Sequence, residues 1–435
     1  MRLVKLSLVT ALAVGSFSAL NAKPLEEAIK NVDFTGELRY RYENNSENNG
    51  QIGDISSVSG KQDHRIRVRL GLKADVGDGF KIFGQAQYAN DKAAGYIDSN
   101  SPNAGRTPTN KPFNLRQAYL QYDLADYGFG LVLGRQELGT IWTTDFVGTA
   151  AKAIYSPADG ISIAAFAVDS FEENTGDSDA ISVSKLNLLP NGNAAQQAAI
   201  NSRIYEYNMY GAAFLGKDIG GSGFDANIWF AQLMKTATFY AADLAYTLPL
   251  GEQDSWKLRF TYMGNNVDNS FNELLGDIAD SGQLFNLYGT VNLYGFDGTL
   301  GGIMYGKKNK VTINTIEDTG SAGLNVIGRE ILYGRGSWTG ISNGQTTLAY
   351  ASVGYTLPGD FRIGLRGVIG GTSDTLTTGQ GSTGGGDKSE YVLDLDYKYS
   401  NNLKFFGWYS ILNYDNKVYG TSKRDAVRLQ AAYTF

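Results

Sequence analysis

In this 435-residue chain, the first candidate functional residues are arginines that recur at every second position. They occur in two segments, as Arg39, Arg41, Arg65, Arg67 and Arg69. A spacing of two places side chains on one face of a β-strand. On adjacent strands facing water, these permanently charged groups would form a positive wall, and its field opposite acidic groups would sort dipolar solutes. The alternative is ordinary polar surface, in which the arginines pair with carboxylates such as Glu37.

The segment Leu138–Gly148, which reads LGTIWTTDFVG, is the second candidate. It is too apolar for an exposed loop, because it contains Ile141, Trp142, Phe146 and Val147. We expect the segment to fold into the interior of the structure and to pack on the inner wall. There it would narrow a central passage, line it with Trp142 and Asp145, and hold Asp145 close to the arginines.

These candidates require strands that present one polar and one apolar face. The last ten residues, Ala426–Phe435, show the pattern clearly, since Val427, Leu429, Ala431, Tyr433 and Phe435 alternate with polar or small residues. A terminal strand of a soluble sandwich could alternate in the same way. The free C-terminal Phe435 favours the other interpretation, because this ending resembles the closing strand of bacterial outer-membrane barrels. The apolar face would then contact lipid and the polar face a wet lumen.

The remaining chain predicts an all-β, transmembrane antiparallel barrel. Short turns such as Gly77–Gly79 alternate with long loops such as Asn90–Asn114, as in barrels with periplasmic turns and external loops. Glu330–Trp338 could be a further strand, but a bacterial barrel with both termini in the periplasm needs an even number. We therefore assign Lys307–Gln345 to one long external excursion and predict about 18 strands.

Composition and the N-terminus narrow the class further. Residues 1–22 read as a secretory signal peptide, with Arg2 and Lys5 before an apolar stretch and the small residue Ala22 at its end. Residues 23–435 are then a single barrel domain. The chain has 54 Gly, 27 Tyr, 21 Phe, no Cys, a net charge of −6 and a mean hydropathy of −0.24. The lack of Cys excludes disulfides and thiolate metal sites, and we expect no nucleic-acid partner.

Several short motifs make the resemblance specific. They are PLEEAIK at 24–30, LRYRY at 38–42, IWT at 141–143, AAFAVDSF at 164–171, DYKYS at 396–400 and VRLQ at 427–430. With them, the mature chain resembles the Campylobacter-type major outer-membrane porin family. The resemblance implies a homotrimeric general diffusion porin of the bacterial outer membrane. It implies 18 strands, passage of small hydrophilic solutes and ions, and a preference for cations. The external loops depart most from the family.

The resemblance also suggests a divalent cation, Ca²⁺, at the constriction. Carboxylates that could reach it are Asp145, Asp169, Glu317 and Asp318. Calcium prefers such oxygen ligands, whereas the single histidine and the lack of cysteine disfavour zinc. The alternative, that these acids merely pair with the arginines, has equal support.

A second function stays open beside the porin: a surface adhesin or antigen that uses the barrel as an anchor in outer-membrane lipid. An enzyme is not expected. An outer-membrane phospholipase would need a His-x-Ser pair on one face, and the residue two positions after the sole histidine, His64, is Ile66.

Overall fold

The protein is described here by a computed structural model that carries side chains. The predicted signal peptide and Asp318 lie outside the residues that it describes. Those residues are 32–48, 61–90, 113–172, 194–317, 323–332, 339–373, 375–376, 385–416 and 420–435.

The chain forms a closed antiparallel barrel of 18 strands, which confirms the predicted fold class and strand number. Each strand pairs with its neighbours in sequence, and β1 pairs with β18. The first nine are β1 (Val32–Asn48), β2 (Lys61–Gly77), β3 (Phe80–Ala89), β4 (Asn114–Leu124), β5 (Phe129–Glu137), β6 (Val147–Ala158), β7 (Ile161–Phe171), β8 (Met209–Gly216) and β9 (Phe224–Leu233). The others are β10 (Ala237–Pro249), β11 (Ser255–Val267), β12 (Gln283–Leu293), β13 (Phe296–Ile313), β14 (Ile341–Leu357), β15 (Phe361–Ser373), β16 (Gly386–Lys398), β17 (Leu403–Asn416) and β18 (Gly420–Thr434).

Alternation along the strands separates an outer apolar face from an inner polar one. In β1 the outward Leu38 is 50% exposed, whereas the inward Arg39 is 7% exposed. Because the sheet closes on itself, it leaves no open edge, and every strand can satisfy its backbone hydrogen bonds within the bilayer.

The connection between β13 and β14 has no strand in its described part, which agrees with the parity argument. It is shorter than the predicted excursion Lys307–Gln345, because β13 continues to Ile313 and β14 begins at Ile341. The polar residues Lys307–Lys310 interrupt the alternation, so the sequence predicts that β13 ends before them. In the structure β13 continues to Ile313, because it pairs with β14 beyond an irregularity in register between Lys307 and Val311.

In the described part of the chain, two α-helices lie in connections on the loop side of the barrel, α1 (Ala194–Tyr205) and α2 (Asn269–Leu274). Helix α1 lies between β7 and β8, and β8 starts at Met209. No helix in the described part of the chain combines the length and the hydrophobicity that a membrane crossing needs.

Two parts of the barrel interior meet at the candidate site, a large apolar cluster and a group of charged residues. Inward side chains of β6 to β15, such as Phe166, Phe239 and Tyr305, form one buried cluster with Ile200 of α1 and Phe271 of α2. The inner faces of β1, β2 and β18 carry arginines and carboxylates instead. The candidate site lies where an inserted loop connects the two parts.

Candidate functional site

The arginines predicted to share a face do so on two paired strands. In the register of β1 and β2, Arg39 lies opposite Arg67 and Arg41 lies opposite Arg65. Arg39, Arg65 and Arg67 are buried on the inner side. Like charges directly opposite each other on a sheet repel, so this arrangement requires nearby counter-charges.

Carboxylates on the same strands supply those charges. Glu43 Oε2 lies 2.8 Å from Arg65 Nη1, and its Oε1 accepts a 2.5 Å hydrogen bond from Arg428 Nε of β18. Glu37 Oε1 accepts a 2.8 Å hydrogen bond from Arg67 Nε. The pairing that we considered as the alternative is therefore present in the structure. It does not decide whether the arginines line the passage, which stays a prediction.

The loop between β5 and β6 enters the barrel, and its ends are joined by a 3.0 Å hydrogen bond from Leu138 N to Phe146 O. It brings Asp145 to the arginines: Asp145 Oδ2 lies 3.7 Å from Arg69 Nη2 and 3.9 Å from Arg67 Nη1. The Asp145 side chain keeps 36% exposure. A partly exposed carboxylate thus faces a set of buried guanidinium groups, which gives the interior an asymmetric distribution of charge.

Trp142 does not line the passage as we expected. Its exposure is 0%, and its ring packs against Trp229 and Phe239 on the inner wall, with centroid distances of 6.2 and 5.7 Å. A large aromatic ring gains more free energy from this burial than from contact with water. Trp142 therefore anchors the inserted loop, and Asp145 is the loop residue that faces the arginines.

Glu317, in the connection after β13, holds the same loop. Its Oε2 accepts hydrogen bonds from the amides of Thr144 and Phe146, the latter at 3.1 Å. In the other direction, the amides of Ile316 and Glu317 donate to Trp142 O at 3.1 and 3.0 Å. The carboxylate is 2% exposed, so these hydrogen bonds form in a site from which water is largely excluded.

The predicted calcium ligands Asp145, Asp169 and Glu317 do not form one group, although Glu317 binds the amides on either side of Asp145. Glu317 is occupied by loop amides, and Asp145 lies beside arginines. Asp169 is the unpaired residue of a bulge in β7. Its side chain is exposed, whereas Val168 and Phe171 near it are buried. The described residues contain no group of three or more His, Cys, Asp or Glu side chains that could hold a metal ion. The described structure therefore does not assemble these three acids into one metal site, and calcium binding stays a prediction.

The sequence reasoning missed Arg116 of β4. Its side chain is 3% exposed, and its Nη2 donates to the backbone oxygen of Asp145 at 2.9 Å. Its Nη1 contacts Glu137 Oε1, and donates to Gln85 Oε1 at 3.0 Å. Simple alternation from Gln121 would place Arg116 outward, but a register shift against β3 inserts it as an extra residue and turns it inward. A charged side chain that faces lipid is energetically costly. An arginine at an outward position could therefore have indicated the bulge from the sequence.

A family model described as Campylobacter major outer membrane protein matches residues 1–435. The crystal structure of Pseudomonas aeruginosa OpdL has a TM-score of 0.63 at 15% identity, covering 93% of this chain and 99% of that one. Acinetobacter baumannii OccAB3 has a TM-score of 0.67 at 12% identity, with coverage of 93% and 99%. At these identities the structural similarity shows the fold alone. A comparison with curated proteins gives no match.

Proposed function

The chain belongs to the Campylobacter major outer membrane protein family, and from that membership we propose that it is a general diffusion porin. It lies in the outer membrane of a bacterial cell, and its family and fold point to a channel and not to an enzyme. In this function small hydrophilic solutes and ions pass through a water-filled lumen by diffusion.

The observation that carries the proposal is the inserted loop inside a closed barrel. It holds the partly exposed Asp145 3.7 Å from Arg69, so charged groups meet in the interior of an 18-stranded barrel. Strands that face lipid outward and charge inward have the arrangement of a wet lumen. A loop folded into that lumen narrows it and sets which solutes pass.

A preference for cations belongs to this proposal. The arginines would by themselves favour anions, but Glu37, Glu43 and Asp145 lie within ion-pair distance of them. The chain as a whole carries a net charge of −6, which raises the local concentration of cations near the entrances.

We further propose a homotrimer, on family membership alone, because no contact in the single chain bears on stoichiometry. Native mass measurement in mild detergent tests it: we expect the mass of three chains, and a mass of one chain would exclude the trimer.

Conductance across a planar lipid bilayer tests the function. The purified protein should give stepwise, ohmic current increases in KCl, with a reversal potential in a KCl gradient that indicates a preference for K⁺. A protein that inserts without conducting would instead support the second function, an adhesin or antigen anchored by its barrel. Conductance with a preference for Cl⁻ would keep the porin and reject the cation preference.

A further inference from the structure

A second external segment enters the barrel, at residues 323–332 of the connection between β13 and β14. We call it the inner segment. Four of its apolar side chains, Leu324, Ile327, Ile331 and Leu332, are each at most 1% exposed and belong to the buried cluster. The inner segment is therefore packed inside the structure and occupies space in the lumen, as the β5–β6 loop does.

One wall carboxylate holds the backbone of the inner segment. Glu390 of β16 is 0% exposed and accepts hydrogen bonds from three successive amides, those of Arg329, Glu330 and Ile331, at 2.9 to 3.1 Å. The hydroxyl of Ser410 on β17 donates to the same carboxylate at 2.6 Å. Successive backbone N–H groups that converge on one anion form a nest. Here the wall itself supplies the anion.

The fit leaves no room for a side chain at Gly328. A Cβ at that position would lie 2.2 Å from Glu390 Oε2, which is far inside van der Waals contact. The inner segment can approach the carboxylate this closely only because residue 328 is glycine.

Ion pairs from neighbouring strands surround this contact. Asp394 of β16 binds Arg329, with 2.7 Å between Oδ1 and Nη2, and it also binds Arg366 of β15 at 3.1 Å. Arg366 Nη1 donates to the backbone oxygens of Asn325 and Val326 at 3.0 and 2.6 Å. On β18, Arg424 Nη2 lies 2.8 Å from Glu330 Oε2. The inner segment is thus tied to β15, β16 and β18, and Glu390 holds its backbone at the centre of these contacts.

We propose that Glu390 is a positioning residue that latches the inner segment to the barrel wall, and that the latched segment limits the passage from the side of β15 to β18. This inference rests on the proposed porin function for its effect on current, but the latch itself is a contact that can be tested without current. Loss of the carboxylate removes one or both of the oxygens that three buried amides share as acceptor, so the inner segment should open more often.

Thiol labelling tests the latch directly, because the chain has no cysteine. Ile331→Cys places one buried thiol in the inner segment. In the Glu390→Gln background, a water-soluble maleimide should label this thiol about tenfold faster. The loss of one hydrogen bond to a charged group should raise the population of the open segment by about this factor. Asp297→Asn is the matched control, since Asp297 accepts from Arg362 on the wall at 2.6 Å and contacts no residue of the inner segment in the described structure. Equal labelling in Glu390→Gln and in the control would overturn the proposal.

Gly328→Ala tests the same contact by a change in the inner segment and not in the barrel wall. A Cβ at residue 328 would also lie 2.6 Å from Ile331 Cγ2, an atom that the labelled Ile331→Cys protein lacks. In that protein, Gly328→Ala should accelerate labelling when Glu390 is present but add little in Glu390→Ala, where the remaining partner of the Cβ is absent. Additive effects of the two substitutions would contradict a direct contact.

Conductance then separates the latch from the porin function. If wild type conducts, Glu390→Gln should show a larger and more fluctuating single-channel conductance than wild type or Asp297→Asn. An unchanged conductance together with unchanged labelling rejects the latch. Faster labelling in a protein that never conducts supports the latch and rejects the porin function.

Discussion

At the scale of residues, the site consists of buried arginines and of carboxylates that neutralise their charge. Arg65 and Arg67 are buried on the inner wall, and their neighbours Glu43, Glu37 and Asp145 compensate them. Removing one partner of a buried ion pair leaves the other uncompensated, which is costly and changes the local potential. The ionic preference of the channel should therefore respond to single charges in this group.

The double substitution Arg65→Gln and Arg67→Gln tests that expectation. It removes two positive charges and leaves Glu43 and Glu37 without them, so the potential in the lumen becomes more negative. We expect the reversal potential in a KCl gradient to move toward that of K⁺. Arg65→Lys with Arg67→Lys keeps both charges and serves as the control. Unchanged reversal potentials in the glutamine variant would exclude these arginines from the conducting path.

At the scale of elements, two segments of the loop side fold inward, and a buried carboxylate holds each. Glu317 binds amides of the β5–β6 loop, and Glu390 binds amides of the inner segment. At the first of these places, a carboxylate that accepts from converging backbone amides holds the loop. The order of the inserted loop should then depend on Glu317 and not on a metal.

Glu317→Gln tests this at the β5–β6 loop. The amide side chain has one acceptor oxygen and brings an N–H group toward other N–H donors, so the variant should lose about 1.5–3 kcal/mol of local stability. We expect a lower melting temperature in detergent. Asp280→Asn is a suitable control, because Asp280 pairs with the exposed Lys307 and such a pair contributes little.

Chelation separates the carboxylate from the metal in the same assay. The melting temperature of the wild type should be equal in EDTA and in CaCl₂. A lower melting temperature in EDTA, which Glu317→Gln no longer shows, would restore the calcium interpretation.

At the scale of the whole molecule, the barrel depends on the seam between its first and last strands. Gly36 N donates to Phe435 O at 2.8 Å, and Phe435 N donates to Gly36 O at 3.1 Å. The Phe435 ring covers Gly36 and lies 5.4 Å from the ring of Phe34. A glycine on one strand thus makes room for the terminal aromatic ring of the other.

Gly36→Val should therefore impair closure. A Cβ at residue 36 would lie 2.3 Å from the Phe435 ring and would displace it. Gly367→Val is the control, because a Cβ there has only the ring of Tyr391 within reach, at 3.9 Å. We expect a smaller folded fraction for Gly36→Val, measured by the mobility of unheated samples in SDS gels. Equal folded fractions for the two variants would show that the ring has room to move.

The sequence alone determined the closed 18-stranded barrel and the inward placement of the arginines of β1 and β2. Alternation with a period of two is a local property, because it follows from the extended conformation of each strand and does not depend on which strands pair with it. The apolar residues of Leu138–Gly148 likewise required burial wherever the chain placed them. Parity then excluded a strand at Glu330–Trp338, and its described part contains none.

Only the tertiary structure decided which side chains meet. The register shift that turns Arg116 inward and the bulge at Asp169 depend on pairing with neighbouring strands. The burial of Trp142 and the amide partners of Glu317 and Glu390 depend on contacts between residues far apart in sequence. Periodicity cannot report such contacts, because the same inward carboxylate can pair with an arginine, an ion or a backbone amide. Packing selects among these partners, since a buried charge is stable only where its hydrogen bonds are complete.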